Sequence, residues 1–374
     1  MARYDRASLR EHCDALHPFG QSEQVRIEPV EFASPETTSA EFSKIAGTYE
    51  LEQPYVAEIR DAYVLDGAGV CTTDDFTILV ETANSREDKL PLYFEEHRME
   101  LFELLKRQRT GRLGRAEPAH VDFAVSLISA PYEEGGAYYS TKWIQSYLTR
   151  LQGLRHYMEE TGERPTLLLE PDPQPYKTES LQLLGFGPED VVYWNPDRPL
   201  RVDRLVVPSV RRAERLTDFQ KGEEGVTYKL LSPDACHWLR REVRSVIGDG
   251  TEFSNDVFIS REDAPTRNIT NREEVLTELR DRGFEKYVLS ELSFQEQATL
   301  FAQADRVVSP HGAGLTNSMF AEDCEIFEIF GAKVKPTFYM QSQVLGLEYT
   351  ALLEQPVGDD IRVDVDTLTS ALDE

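Results

Sequence analysis

Short apolar runs separated by amphipathic stretches recur through the second half of the chain. The segments 256–260 (DVFIS), 287–290 (YVLS), 306–309 (RVVS), 324–330 (CEIFEIF) and 349–353 (YTALL) are nearly continuous apolar runs, as strands buried on both faces are. Between them, 233–247, 272–282, 293–304, 313–320 and 338–345 read as helices. This alternation predicts a parallel sheet with right-handed crossovers and helices on both faces. The first half is also α/β. Two β-rich runs flank Gly67-Ala68-Gly69 within 61–82, a charged helical stretch covers 95–109, and a buried strand is expected at 121–128. A long helix follows at 138–160, where Trp143, Tyr147, Leu151 and Leu154 recur at helical spacing, then strand 166–170, a short helix ending at Leu184-Gly185, and strand 191–194. The expected architecture is two Rossmann-like domains facing a cleft. Residues 1–206 form the amino-terminal domain, the charged stretch 207–225 a linker, and 226–374 the carboxy-terminal domain.

A chain of 374 residues with 40% hydrophobic residues suits a two-domain globular enzyme. Charge adds something less ordinary: 67 Asp and Glu oppose 40 Lys and Arg, for a net charge of -27, and only 10 of the cations are lysine. Self-repulsion at that charge weakens a compact fold in dilute buffer, and concentrated salt screens it. A salt-adapted, haloarchaeal type of cytoplasm is the expectation; an ordinary acidic protein is the alternative. Nucleic acid is excluded as a partner, since the basic clusters are as short as Arg211-Arg212 and Arg240-Arg241. Cys13, Cys71, Cys236 and Cys324 lack zinc-ligand spacing and read as free thiols of a reducing compartment. With no apolar signal core and no membrane-length apolar run, the chain is expected to be cytoplasmic, with peripheral attachment at the inner membrane face left open.

The most informative segment is 307–317, VVSPHGAGLTN. An apolar strand ends at Ser309-Pro310, and His311-Gly312-Ala313-Gly314 turns into a helix. Glycine amides and a helix amino terminus therefore sit beyond the carboxyl end of a parallel strand, where open α/β sheets bind anions. A side chain at Gly312 or Gly314 would fill space that phosphate oxygens need, and His311 is placed to donate to the same group. The same pattern also describes a tight connection without a ligand. Arg261 follows strand 256–260 at its carboxyl end, with Arg267 six residues later. A guanidinium there suits a diphosphate, or else pairs with one of many surface acids. Glu328 interrupts an apolar strand, so its carboxylate needs partners: nucleotide hydroxyls, or solvent at a strand end. No G-x-G-x-x-G, G-x-x-x-x-G-K or G-x-S-x-G is present, which counts against dinucleotide, P-loop and serine-hydrolase chemistry. The one D-x-D, Asp364-Val365-Asp366, falls in the expected terminal tail, so no metal is expected.

The segments DVFISREDAPTRNITN, SELSFQEQATLFAQADRVVSPHGAGLTNSMF and EIFEIF, within 256–330, resemble glycosyltransferase family 61, also catalogued as a capsular polysaccharide biosynthesis family. Weaker similarity covers 138–185. The resemblance implies a GT-B fold, a nucleotide-activated sugar donor and inversion at the anomeric carbon without an obligatory metal or other cofactor. Uridine nucleotides, and a glycan, polysaccharide or lipid-linked acceptor in cell-surface glycan synthesis, are implied on the same ground. Carried over by position, Arg261 and the His311–Gly314 turn face the diphosphate, Glu328 holds the ribose or base, and Asn317 fixes the turn; Arg267 is a binding candidate from its place after the strand alone. Glu291 matches a recurrent acid without an assigned role, and is grouped with Arg261 and His311 as a catalytic candidate. Where many microbial relatives carry N-Y-Y-H-W, this chain has AYYSTKW, with Lys142 in place of His before Trp143; Trp143 itself reads as core. That departure leaves a second expectation, a catalytically silent nucleotide-binding scaffold subunit of a glycan-assembly complex.

Overall fold

The computed structural model describes residues 6–30, 40–64, 69–75, 77–83, 119–128, 141–195, 199–216, 227–248 and 252–373. They fall into two compact units, one drawn from 1–21, 53–135 and 150–210, the other from 22–52, 136–149 and 211–374. The chain therefore changes unit several times, where the sequence suggested one linker at 207–225. Val207 and Pro208 end a long strand of the first unit, and Arg212–Leu216 pairs with Thr227–Leu231 in the second. Residues 217–226, like the helix expected at 95–109, lie outside the described residues.

The first unit is built on a nine-stranded mixed sheet. Leu200–Pro208 lies at its middle, antiparallel to Tyr55–Val64 and parallel to Ala119–Ser126, beyond which Thr166–Leu169 and Val191–Tyr193 continue in parallel. Its apolar side chains, among them Ile59, Val64, Ala124, Leu168, Val202 and Leu205, form one buried cluster. Tyr157, from the Leu151–Thr161 helix, donates to the buried Glu58 at 2.6 Å.

The second unit holds a five-stranded, all-parallel sheet in the spatial order Glu285–Tyr287, Asp256–Ile259, Arg306–Pro310, Glu325–Phe330, Glu348–Leu353. Numbered along the chain, that order is 2-1-3-4-5. The fold is thus mixed α/β with a doubly wound parallel sheet. One face packs on the Arg272–Asp281 and Val365–Leu372 helices through Phe258, Val308, Phe327, Ile329 and Leu352. Side chains alternate along a strand, so Ile326, Glu328 and Phe330 point to the other face. Phe330 meets Phe42 there at 5.8 Å, and Tyr339 of the Thr337–Leu345 helix meets Tyr349 at 5.2 Å.

Three local expectations are revised. The strand expected at 287–290 ends at Tyr287, and Leu289–Glu291 is a 3-10 turn. Residues 313–320 wind as a 3-10 helix, not an α-helix. The helix expected at 138–160 contains a π turn, Trp143–Tyr147, closed by the Leu148 N–H on the Trp143 carbonyl, then a 3-10 turn Leu148–Arg150 before the α-helical Leu151–Thr161. Trp143 is buried and stacks on Tyr147 at 5.5 Å.

The carboxy-terminal D-x-D begins a helix that the sequence reading left as tail. Asp364 is the N-cap of Val365–Leu372 and accepts from the Asp366 and Thr367 N–H groups. The Asp364 N–H in turn donates to Glu354 Oε2 at 2.8 Å. Burial, with help from the Asp364 charge, raises the Glu354 carboxyl to about 7. Its folded value thus exceeds the ordinary glutamate value of 4.5, so the folded state binds the extra proton between these two values. Stability from this proton is complete below about 4.5 and lost as pH rises through about 7. Glu354→Gln, which mimics the protonated form, is therefore expected to be more stable than wild type above pH 7, the gap closing toward pH 4.5. Urea denaturation of both proteins at several pH values checks this; a gap that widens with acid refutes it.

Candidate functional site

Strand order locates the place where a ligand fits. In a 2-1-3-4-5 sheet, connections leave strands 1 and 3 in opposite directions, opening a crevice beyond their carboxyl ends. Here strand 1 is Asp256–Ile259 and strand 3 is Arg306–Pro310, adjacent and parallel. The residues that follow them, Ser260-Arg261 and His311-Gly312, meet at that switch point.

Arg261 lies directly on Gly312. A Cβ on Gly312 would fall on the guanidinium Nη1 and 3.0 Å from its Cζ. A Cβ on Gly314 would come 2.7 Å from Leu289 Cδ1. Gly312 has an extended φ of -178°, open to any residue, so the requirement is for space alone. The small residues allow close approach by Arg261 and Leu289, in the space that the sequence assigns to phosphate oxygens. Arg261 Nε donates to the Thr266 carbonyl at 3.3 Å. Arg267, in a left-handed conformation with φ 63°, is anchored by its N–H on the Asp359 carbonyl and by Nη1 on the His311 carbonyl, both at 2.8 Å. A non-glycine residue held there stores roughly 1–3 kcal/mol of strain, of the kind that concentrates at functional sites.

A cation that the sequence reading did not single out, Lys333, follows the Glu325–Phe330 strand and feels the charge of both arginines. Burial lowers its ammonium below the usual lysine value, and Lys335, Arg267 and Arg261 push in the same direction. Arg261 is driven down to about 10, first by burial and then by Arg267, with Asp263 opposing. Burial also lowers Arg267, against the pull of Glu328. Among the described residues no carboxylate reaches ion-pair distance of Arg261, Arg267 or Lys333. In a chain of net charge -27, two half-buried guanidiniums and an exposed ammonium that repel one another, with no ion-paired carboxylate among the described residues, have the electrostatics that suit an anion. The N–H groups of Gly312, Ala313 and Gly314 add donors, since they have no acceptor among the described residues.

The 3-10 run is fixed at both ends. Asn317 Nδ2 donates to the Gly314 carbonyl at 3.1 Å and to Gln297 Oε1 at 3.0 Å, while Gln297 Nε2 holds the Leu289 and Leu292 carbonyls. Two sequence motifs, L-S-F-x-E-Q and H-G-A-G-L-T-N, are thereby one structural joint. Ser293 caps the Phe294–Gln303 helix in a capping box with Glu296, which presents Gln297 to Asn317. At the far end, Arg240 donates to the Met319 carbonyl and Arg244 to the Phe320 carbonyl, cations placed where the helix end is negative. Below the run, Thr141 and Thr316 hydroxyls meet at 2.7 Å, and Gln341 donates to the Thr316 carbonyl and Ser318 while receiving Gln145.

Glu328 is fully buried, and both of its oxygens are engaged inside the protein. His311 Nδ1 lies 2.5 Å from Oε1, and the Tyr349 hydroxyl donates to Oε2. The carboxylate expected to hold ribose hydroxyls thus faces His311 and Tyr349. Glu291 is exposed in the Leu289–Glu291 turn and makes no hydrogen bond or ion pair with Arg261, Arg267 or His311. Lys142 precedes the π turn, its Nζ 6.0 Å from the Tyr147 ring centroid.

Fold and site define a doubly wound α/β protein with cations gathered at the switch point of its parallel sheet. The Glycosyltransferase 61 family model matches residues 141–326, a span from the π-turn helix through the His311–Asn317 turn. This match supports placing the chain in that family and suggests glycosyltransferase activity. No curated protein matches the chain. Lys333, Glu328 and Tyr349 lie beyond the matched span.

Inorganic pyrophosphate, as the simplest diphosphate, is expected to raise the melting temperature of the wild type, by the equivalent of about 2.7 kcal/mol at a hundredfold excess over Kd. Gly312→Ala, whose methyl displaces Arg261, and Lys333→Ala are each expected to shrink that rise. Scanning fluorimetry checks this, and a wild type indifferent to pyrophosphate refutes the anion site.

Proposed function

We propose that this protein is an inverting glycosyltransferase that moves a sugar from a nucleotide-sugar donor to a glycan, polysaccharide or lipid-linked acceptor. The observation that carries the reading is the meeting of Arg261 and the Gly312–Gly314 turn at the switch point, with Arg267 and the charge of Lys333 acting on it and no ion-paired carboxylate among the described residues. The family match supports the same chemistry at a coarser level.

In this mechanism an acceptor hydroxyl attacks the anomeric carbon as the bond to the diphosphate oxygen breaks. Negative charge grows on the departing phosphate, and the acceptor proton goes to a base. Fixed positive charge counts most where charge develops, so Arg261, Lys333 and the free N–H groups of the turn lower the barrier at the leaving group. A diphosphate neutralised by guanidinium, ammonium and backbone donors does not require a divalent metal, and we assign none. A GT-B arrangement, in which the other unit brings the acceptor, and a cytoplasmic site of action with peripheral membrane contact complete the proposal. The donor is taken to be a uridine nucleotide.

The test is release of nucleoside diphosphate across a panel of nucleotide sugars with candidate acceptors, at low and high salt. Turnover with at least one donor is expected. Arg261→Ala should lower kcat/KM by the equivalent of about 2–4 kcal/mol, the range for loss of one preorganised contact. Unchanged turnover would remove Arg261 from the mechanism. Nucleoside diphosphate binding without turnover of any donor would favour a silent scaffold.

A further inference from the structure

The His311 ring sits in an unusual setting. It stacks on Phe330 at 5.3 Å and leans on Phe338 at 5.7 Å, so its plane is set by two aromatic neighbours. Its Nδ1 is 2.5 Å from Glu328 Oε1, inside the protein. Glu328 is a fully buried carboxylate in the middle of a sheet, and such a group persists only where its charge has donors. It has two, His311 and Tyr349. Burial and the adjacent Glu328 charge raise the Tyr349 phenol far above its usual value, so Tyr349 keeps its proton and donates. A carboxylate that already accepts from a phenol offers its second oxygen as an acceptor, which places the proton of that contact on His311 Nδ1. The other ring nitrogen, Nε2, has no partner among the described residues and is not sealed from solvent. The His311 backbone carbonyl, meanwhile, receives Arg267 Nη1, which joins the histidine's main chain to the cation cluster.

We propose that Glu328 and Tyr349 are positioning residues that hold His311 by Nδ1 and present its Nε2 to the diphosphate of the donor. The inference rests on the nucleotide-sugar reading and deepens it. Glu328 acts through the histidine and does not touch the nucleotide. The same arrangement explains why an acid interrupts an otherwise apolar strand one position along from His311's backbone partner: the His311 N–H bonds the Ile329 carbonyl at 2.8 Å, bringing ring and carboxylate together.

Uridine diphosphate is the probe. In wild-type protein labelled with 15N-histidine, one imidazole is expected to show a protonated, strongly hydrogen-bonded Nδ1. That signal is absent from His311→Asn, and its Nε2 resonance shifts when uridine diphosphate is added. Calorimetric affinity for uridine diphosphate should fall at least tenfold in Glu328→Gln and about threefold in Tyr349→Phe, which retains the carboxylate. If Glu328→Gln does not fold, the wild-type spectra and Tyr349→Phe still decide. A wild type that binds uridine diphosphate without moving the His311 Nε2 resonance, or Glu328→Gln binding within twofold of wild type, overturns the inference alone. A wild type that binds no nucleoside diphosphate overturns the donor reading beneath it.

Discussion

A guanidinium pressed against a glycine is the contact on which the rest of this site depends. Arg261 and Gly312 belong to different βα connections, and only the adjacency of strands 1 and 3 brings them together. Sheet order thus does the work of a binding motif. The turn needs no special dihedral angle at Gly312; it needs the absence of a methyl group. Much of what surrounds the contact maintains it. Leu289 packs against Gly314, Asn317 ties the turn to the neighbouring helix, and Arg240 and Arg244 satisfy carbonyls at the other end.

Electrostatics gives the switch point its sign against the trend of the molecule. The chain carries 27 more acids than bases, yet the switch point gathers cations that repel one another and lose hydration. An isolated cation on such a surface finds an acid easily, as Arg282, Lys286 and Arg306 do. Arg261 and Arg267 are kept from that fate by partial burial and by their bonds to backbone carbonyls, which satisfy donors without cancelling charge. The surrounding negative field disfavours stray anions, so an anion that does enter must make several contacts at once.

The carboxy-terminal alternation of strands and helices was plain from apolar runs because strands buried on both faces carry no competing period. So was the meeting of Arg261 with the His311 turn, since both follow strand ends. The harder features depend on contacts distant in sequence. Lys333 sits in GAKVKP, where nothing local separates a site residue from a surface lysine. Tyr349 is a strand residue whose role exists only through Glu328, 21 positions away. The 3-10 winding of Ala313–Phe320 looks α-helical by pattern, because its apolar residues are buried nearly all round and leave no periodicity to read. The π turn at Trp143–Tyr147 is hidden for a similar reason. Segments 22–52 and 136–149 join the second unit through side-chain contacts such as Tyr339 with the Glu28 carbonyl, which sequence order conceals.

The tighter winding of the run after Gly312 has a geometric consequence. Eight residues rise about 2.0 Å each as a 3-10 helix, roughly 16 Å in all, against about 12 Å in α form. The link from Pro310 back to the start of the Glu325–Phe330 strand must retrace a six-residue strand, close to 20 Å. Slender coiling lets few residues cover that return while their first amides stay at the rim of the sheet. Relaxing the same segment into a wider coil would draw it about 4 Å shorter and drag the glycines off the rim, so the reach of this connector, as much as its composition, keeps the turn against Arg261.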